Sequence, residues 1–219
     1  MSVNQRDRTS CYVWVMSGEA GETAVDPTTR RHEHRRPQPR ERLLETASAL
    51  FYAEGIRSIG VDRLIAEAQV TKATFYRHFP TKDDLVVAYL RGRDEAIRSR
   101  LADAAAGVAD DPRKTLGLLL DGLADEVCGP GFRGCPFINA AAEYPDAAHP
   151  VRALIDGHRG WFRAALLELA AGCGHPDPEV AAAALFLLRD GAMVGGYLDG
   201  AGARRSLAQA AGAVVGGVL

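Results

Sequence analysis

Four cysteines in 219 residues, none in a CxxC pair, are too few and too scattered for a disulfide framework or a paired zinc site. Cys11, Cys128, Cys135 and Cys173 read instead as free thiols of a reducing compartment. Long apolar runs are missing too. Cys11–Met16 and Ala213–Leu219 are too short for a secretory signal or a membrane span, so the expected location is the cytoplasm, with no membrane partner. The strict polar–apolar alternation of a half-buried strand is absent, which leaves helices. His149 and His158 do not have metal-helix spacing and no compact third ligand is evident, so no metal and no cofactor is expected. An enzyme is not expected either: Cys135 with His149 or His158 is the sole candidate nucleophile and base, without a signature around it.

Hydrophobic residues at 47% and charged residues at 25% describe a globular chain, long enough for one small module and one medium domain. The net charge of −2 hides an asymmetry. Residues 30–82 hold eleven Lys and Arg against six Asp and Glu, a formal +5, which leaves −7 for the rest. A basic segment on an acidic body points to a local polyanion site.

Residues 1–36 lack periodicity and are expected to be disordered, with a basic stretch at 30–36 that is either a solvated tail or an arm adding phosphate or minor-groove contacts. From Pro37 on, helix punctuation is regular. Pro39 opens a helix with Leu43, Ala47, Leu50 and Phe51 on one face, and Gly55 ends it. Two short helices follow, and Thr81 caps a longer one running to about Gly107, with Asp83 and Asp84 in its first turn. Asp111-Pro112, Pro136, Pro150 and Asp177-Pro178 open the next four, and a final helix carries Leu207, Ala211, Val214, Val215 and Val218. In the helix after Pro178, Val180, Ala184, Leu187, Leu188, Gly191, Val194 and Leu198 form the expected inward stripe. The fold class is all-α, with about nine helices.

The segment Gly55–Lys82 is the best-defined feature. Two short helices meet at Ala68-Gln69-Val70-Thr71, with Val70 as the apolar pin and Thr71 as N-cap of the second. Val61, Leu64, Phe75 and Phe79 pack against Leu50 and Phe51, which exposes the second helix. A helix-turn-helix places such a helix in the major groove of double-stranded DNA. Thr71, Lys72, Ala73, Thr74, Tyr76, Arg77 and His78 face outward; short side chains at the helix start can approach base edges, and Lys72, Tyr76 and His78 can bond phosphates.

The ungapped stretch Val70–Leu85 resembles the signature of the tetracycline-repressor (TetR) family. The resemblance covers residues 37–105 well and the remainder by architecture. It implies that Thr71, Lys72, Ala73 and Thr74 face the groove, that Tyr76 and His78 hold phosphates, and that Lys82 donates to the DNA backbone. Ser58 and Gly60 stand where the family often has Thr and Ser reaching a phosphate; Ile59 and Gly60 depart from that pattern. Gln69 stands where the family usually has Gly, and a left-handed backbone costs Gln about 1 kcal/mol. The implied organisation is a helix-turn-helix domain at 37–82 and a helical ligand-sensing and dimerisation domain at 83–219.

Gly134–Pro145 resembles a motif in one branch of TetR-like regulators. Phe137, Asn139, Glu143, Tyr144, His158 and Trp161 are either the lining of an effector pocket or structural, with Phe137 and Tyr144 packing and Asn139 or Glu143 capping a buried helix end. His158, within an apolar stripe, is a core histidine or a ligand contact. Cys128 and Cys135 are free thiols or a redox pair. Gly191, Gly195 and Gly196 allow close helix contact, within the chain or across a four-helix interface between two copies. The expected function is a homodimeric repressor of a palindromic operator, relieved by a small-molecule effector. The alternative is a constitutive or activating DNA binder without a ligand.

Overall fold

The computed structural model describes residues 37–200 and 202–216; the expected basic arm at 1–36 and Val218 lie outside them. Among the described residues there are nine helices and no strand: α1 (Pro39–Glu54), α2 (Val61–Glu67), α3 (Lys72–His78), α4 (Lys82–Gly107), α5 (Pro112–Cys128), α6 (Pro136–Glu143), α7 (Pro150–Gly172), α8 (Pro178–Asp199) and α9 (Gly202–Val215).

Local chemistry explains the boundaries. The Thr71 hydroxyl accepts from Thr74 N at 3.1 Å, and the Thr81 hydroxyl accepts from Asp84 N at 3.1 Å while Asp84 accepts from Thr81 N in return. The Asp111 carboxylate accepts from the amides of Arg113 and Lys114, and those bonds, Lys114's first, hold its carboxyl below the usual range. Asp177 caps α8 through Val180 N. Gly55 ends α1 with φ +90°, a conformation that side chains resist. Gln69 does turn left-handed, at φ +52°. Arg42 of α1 braces that turn from outside, donating from Nε to Ala68 O and from Nη2 to Gln69 O.

One continuous core joins the helix-turn-helix to the body. It runs from Leu43, Leu50 and Phe51 of α1 through Leu64 and Phe75 to Leu85, Val86, Tyr89 and Leu90 of α4, and on to Phe137, Ala140, Val151 and Ile155. A second cluster lies at the far end, around Leu116, Phe162, Leu166, Leu185, Phe186, Ala211 and Val215. No pairing of α1, α2 or α3 with a body helix other than α4 is extensive.

Helix α8 corrects the expected stripe. The face it buries is Ala181, Ala182, Leu185, Phe186, Arg189, Ala192, Met193 and Gly196. Val180, Leu187, Val194 and Leu198 are 63%, 70%, 48% and 70% exposed. Both faces are apolar, so periodicity alone cannot choose between them, and Arg189 disguises the inner one. Gly196 serves the close approach within the chain: a Cβ there would meet Val127 of α5 at 2.6 Å. Gly191 sits on the exposed face with nothing near it. By length and composition α8 is apolar enough to cross a membrane, yet its inner face packs against α7, α9 and α5.

Candidate nucleic-acid interface

Helix α3 is held by its apolar side and open on its polar side. Phe75 is fully buried against Phe79 and edge-on to the ring of Tyr76. Thr71, Lys72, Ala73, Tyr76 and Arg77 are exposed, and Thr74 and His78 half-buried. The hydroxyls of Thr71 and Thr74 lie 2.9 Å apart and bond each other. Lys72 approaches Asp62 at 3.8 Å with both side chains largely exposed, a contact too loose to restrain it. His78 Nε2 is buried and has no partner among the described residues, so that nitrogen points into the protein. Ser58 gives its hydroxyl to the carbonyls of Glu54 and Gly55, and Ile59 is fully buried. Lys82 donates from Nζ to Ile56 O at 2.6 Å, beside the face of Phe51. Burial lowers its pKa, opposed by the charges of Glu143 and Asp83.

The six residues expected around an effector separate into two groups. Phe137, His158 and Trp161 come together: the rings of Phe137 and His158 stack at 3.7 Å, and Trp161 lies 6.0 Å from His158. His158 Nδ1 is 2.8 Å from Asp94 of α4, a carboxylate that also takes Arg98 Nε, while Arg98 covers the Trp161 ring at 4.3 Å. Burial pushes His158 below its ordinary pKa; the Asp94 bond opposes this and the Arg189 charge adds to it.

Asn139, Glu143 and Tyr144 face elsewhere. Asn139 is exposed and donates to Arg133 O. Glu143 accepts from the amides of Ile56 and Arg57, and the Tyr144 hydroxyl donates to Asp83 at 2.8 Å. Tyr52, its hydroxyl pushed up to about 12 by burial, donates to Gly134 O and accepts from Arg133 N. The space beside Asn139 and Glu143 is about 10 Å³, room for one water. A larger cleft of about 540 Å³ opens between α4, α5 and α7, lined by Arg98, Leu101, Thr115, Trp161, Glu168 and Leu169 among others. Trp161 alone belongs to the expected set.

Sequence reasoning missed Arg42, Asp83, Asp94 and Tyr52, whose partners lie more than 25 residues away. Only Asp94 and Arg98 carry a local signal, their i,i+4 spacing. The free thiols are likewise dispersed: Cys128 is exposed, Cys135 is buried and accepts from Arg189 Nη2, and Cys173 is buried. No cluster of three or more potential metal ligands occurs among the described residues.

Comparison with known proteins places this geometry. Residues 43–89 match the family model for bacterial regulatory proteins of the tetR family. The curated relatives include the HTH-type transcriptional regulator LmrA of Bacillus subtilis, 27% identical over 124 residues, and the HTH-type transcriptional repressor NemR of Escherichia coli, 28% identical over 131. These alignments cover 56% and 59% of this chain and 66% of each relative, just under two thirds. Among solved structures, a TetR-family regulator of Streptomyces avermitilis is 30% identical over 80% of this chain and 98% of its own, with a TM-score of 0.66. The structure of SCO4454, a TetR-family transcriptional regulator of Streptomyces coelicolor, is 45% identical, covers 81% of this chain and 94% of its own, and superposes with a TM-score of 0.78. With that identity spread over nearly the whole of a solved relative, the chain belongs to the TetR family of transcriptional regulators.

Proposed function

We propose that the chain is a homodimeric repressor that binds a palindromic operator through α3 and lets go when a small molecule fills the cleft between α4, α5 and α7. The observation that carries this reading is α3 itself, a short helix anchored by a fully buried Phe75 with its polar side open to solvent. In this reading Thr71, Ala73 and Thr74 approach base edges in the groove, and Lys72 and Tyr76 reach phosphates beside it. Lys82 reaches the DNA backbone with the N–H bonds that Ile56 O leaves free, and His78 contributes through Nδ1, since Nε2 points inward.

The exposed apolar residues of α8 support dimerisation. Val180, Leu187 and Val194 recur every seven residues, as do Ala184, Gly191 and Leu198, a spacing that suits packing against a second helix. Two copies then set their α3 helices about one DNA turn apart, roughly 34–36 Å.

Helix α4 supports the coupling. Its 26 residues extend about 39 Å at 1.5 Å each. One end carries Lys82 and Asp83 beside the helix-turn-helix; Arg98, Leu101 and Ala105 line the cleft further along. A ligand that prefers a tilted α4 shifts the spacing of the two α3 helices, and only that difference in affinity is needed. A ligand-independent regulator is the second reading. The tight packing around Asn139 and Glu143 favours it, and the open cleft weighs against it.

The test is sequencing of genomic fragments retained by the purified chain, its own upstream region included. Enrichment of a few sites is expected; uniform retention by a folded protein would rule out sequence-specific binding.

A further inference from the structure

We infer that Glu143 is a positioning residue for DNA binding: its carboxylate fixes the angle between the helix-turn-helix and the body. This rests on the reading of α3 as the DNA-contacting helix.

The observation is a junction of three elements. Glu143, the last residue of α6, accepts from the consecutive amides of Ile56 and Arg57, in the turn between α1 and α2, at 2.8 and 2.6 Å. Lys82, at the start of α4, holds the carbonyl of Ile56 from the other side. Amide bonds to a carboxylate are charge-assisted, and two from one carboxylate fix direction as well as distance. Gly55 borders the site in ordinary contact. A Cβ on Gly55 would lie 3.4 Å from Glu143 Oε1, and its φ of +90° already favours glycine.

The neighbouring bonds act the same way. Tyr144 ties the end of α6 to Asp83 of α4, and Tyr52 of α1 ties the loop before α6 through Gly134 and Arg133. Thus α6 is fastened to the DNA-facing helices at both ends, while Phe137 in between stacks on His158 of α7. Since α1, α2 and α3 pack extensively on no body helix but α4, a swing about the α4 junction slides the shared core and breaks the directional bonds of this clamp, which alone fix the angle through charge-assisted contacts. A loosened clamp leaves each α3 intact and lowers the fraction of molecules holding α3 at the DNA-competent angle. Apparent operator affinity falls by that fraction.

The experiment compares the full-length chain with Glu143→Gln and Tyr144→Phe on an operator selected from genomic DNA and on a scrambled duplex. The amide introduced by Glu143→Gln turns a donor toward one of the two backbone N–H groups, so one bond is lost and a repulsion added. The expected result for E143Q is about a tenfold weaker operator complex, with scrambled-duplex affinity within about twofold, and faster hydrogen exchange at Ile56 and Arg57 but not in α7. Y144F, which keeps the ring, is expected to weaken operator binding about threefold. A merely stabilising contact would lower Tm and the active fraction but leave the affinity of the active protein unchanged, and that result overturns the proposal. If E143Q loses its helical signal, Y144F decides: a selective loss supports the clamp, and unchanged operator affinity overturns it. A wild-type chain that binds no DNA overturns the underlying reading of α3, and the proposal with it; wild-type binding matched by both variants overturns the proposal alone.

Discussion

The helix-turn-helix unit, α1–α3, and the body use apolar residues differently. In α1–α3 the large apolar side chains share one core: Leu43, Leu50, Phe51, Leu64 and Phe75 are buried, Leu44, Val61 and Ile65 lie half-buried against them, and Tyr76, on the polar side of α3, is exposed. In α8 the apolar residues divide between an inner face and an outer one that stays open in the single chain. A small unit whose large apolar residues all turn to one core has one solution, and its surface is left polar. A helix with apolar residues on both faces has two, and one of them stays open in the single chain.

Four predictions press on this contrast, the largest effect first. Phe75→Ala removes the anchor of α3 from a fully buried site and is expected to destabilise by about 3–5 kcal/mol. Thermal unfolding would show an early transition; an unchanged profile would mean that α3 is not held as described. Next, Leu187→Glu with Leu198→Glu places charges on the outer face of α8. Sedimentation is expected to show a mass halved from the dimer's, and operator affinity to fall about 100-fold, or about 2.7 kcal/mol. A dimer of full mass would move the interface elsewhere.

Smaller effects separate the two regions further. Lys72→Ala is expected to weaken binding to all DNA sequences about threefold and to lower the salt slope by about one. A loss confined to one operator would make Lys72 a base-reading residue. The smallest effect is a pH dependence that belongs to the body. His158 has its pKa lowered by burial, so the unfolded chain binds a proton that the folded chain refuses. Stability is then full above the unfolded value of about 6.5 and declines as the pH falls from there toward the depressed folded value. Denaturant titrations at pH 7.5 and 5.5 are expected to show that decline in the wild type and a smaller one in His158→Gln. Equal declines would assign the proton elsewhere.

The legibility of the fold follows the same division. The helix-turn-helix is readable because its determinants are local: Pro39, Gly55, Thr71 and Thr81 mark boundaries within a turn of where they act. Even the left-handed Gln69 is visible as a departure from a pattern. The body is readable as helices, since Asp111, His149 and Asp177 cap next to Pro112, Pro150 and Pro178. Its partnerships are not. The inner face of α8 contains Arg189, which periodicity assigns to solvent, although Asp190 and Cys135 satisfy it inside. The i,i+4 pair Asn139 and Glu143 suggests a shared pocket, yet Glu143 turns to amides more than 80 residues earlier in the chain. Spacing along one helix says which side chains share a face; what that face meets is decided by tertiary packing.

If the open side of α3 reads bases, selection from a randomised operator library shows it most directly. The wild-type chain and Thr74→Ala would be run side by side, with both proteins shown to be folded. The wild type is expected to enrich an inverted repeat, and T74A to change the preferred base at one symmetry-related pair of positions while the rest of the repeat persists. An identical preference from the two proteins, or no enrichment by the wild type, would contradict base reading by α3.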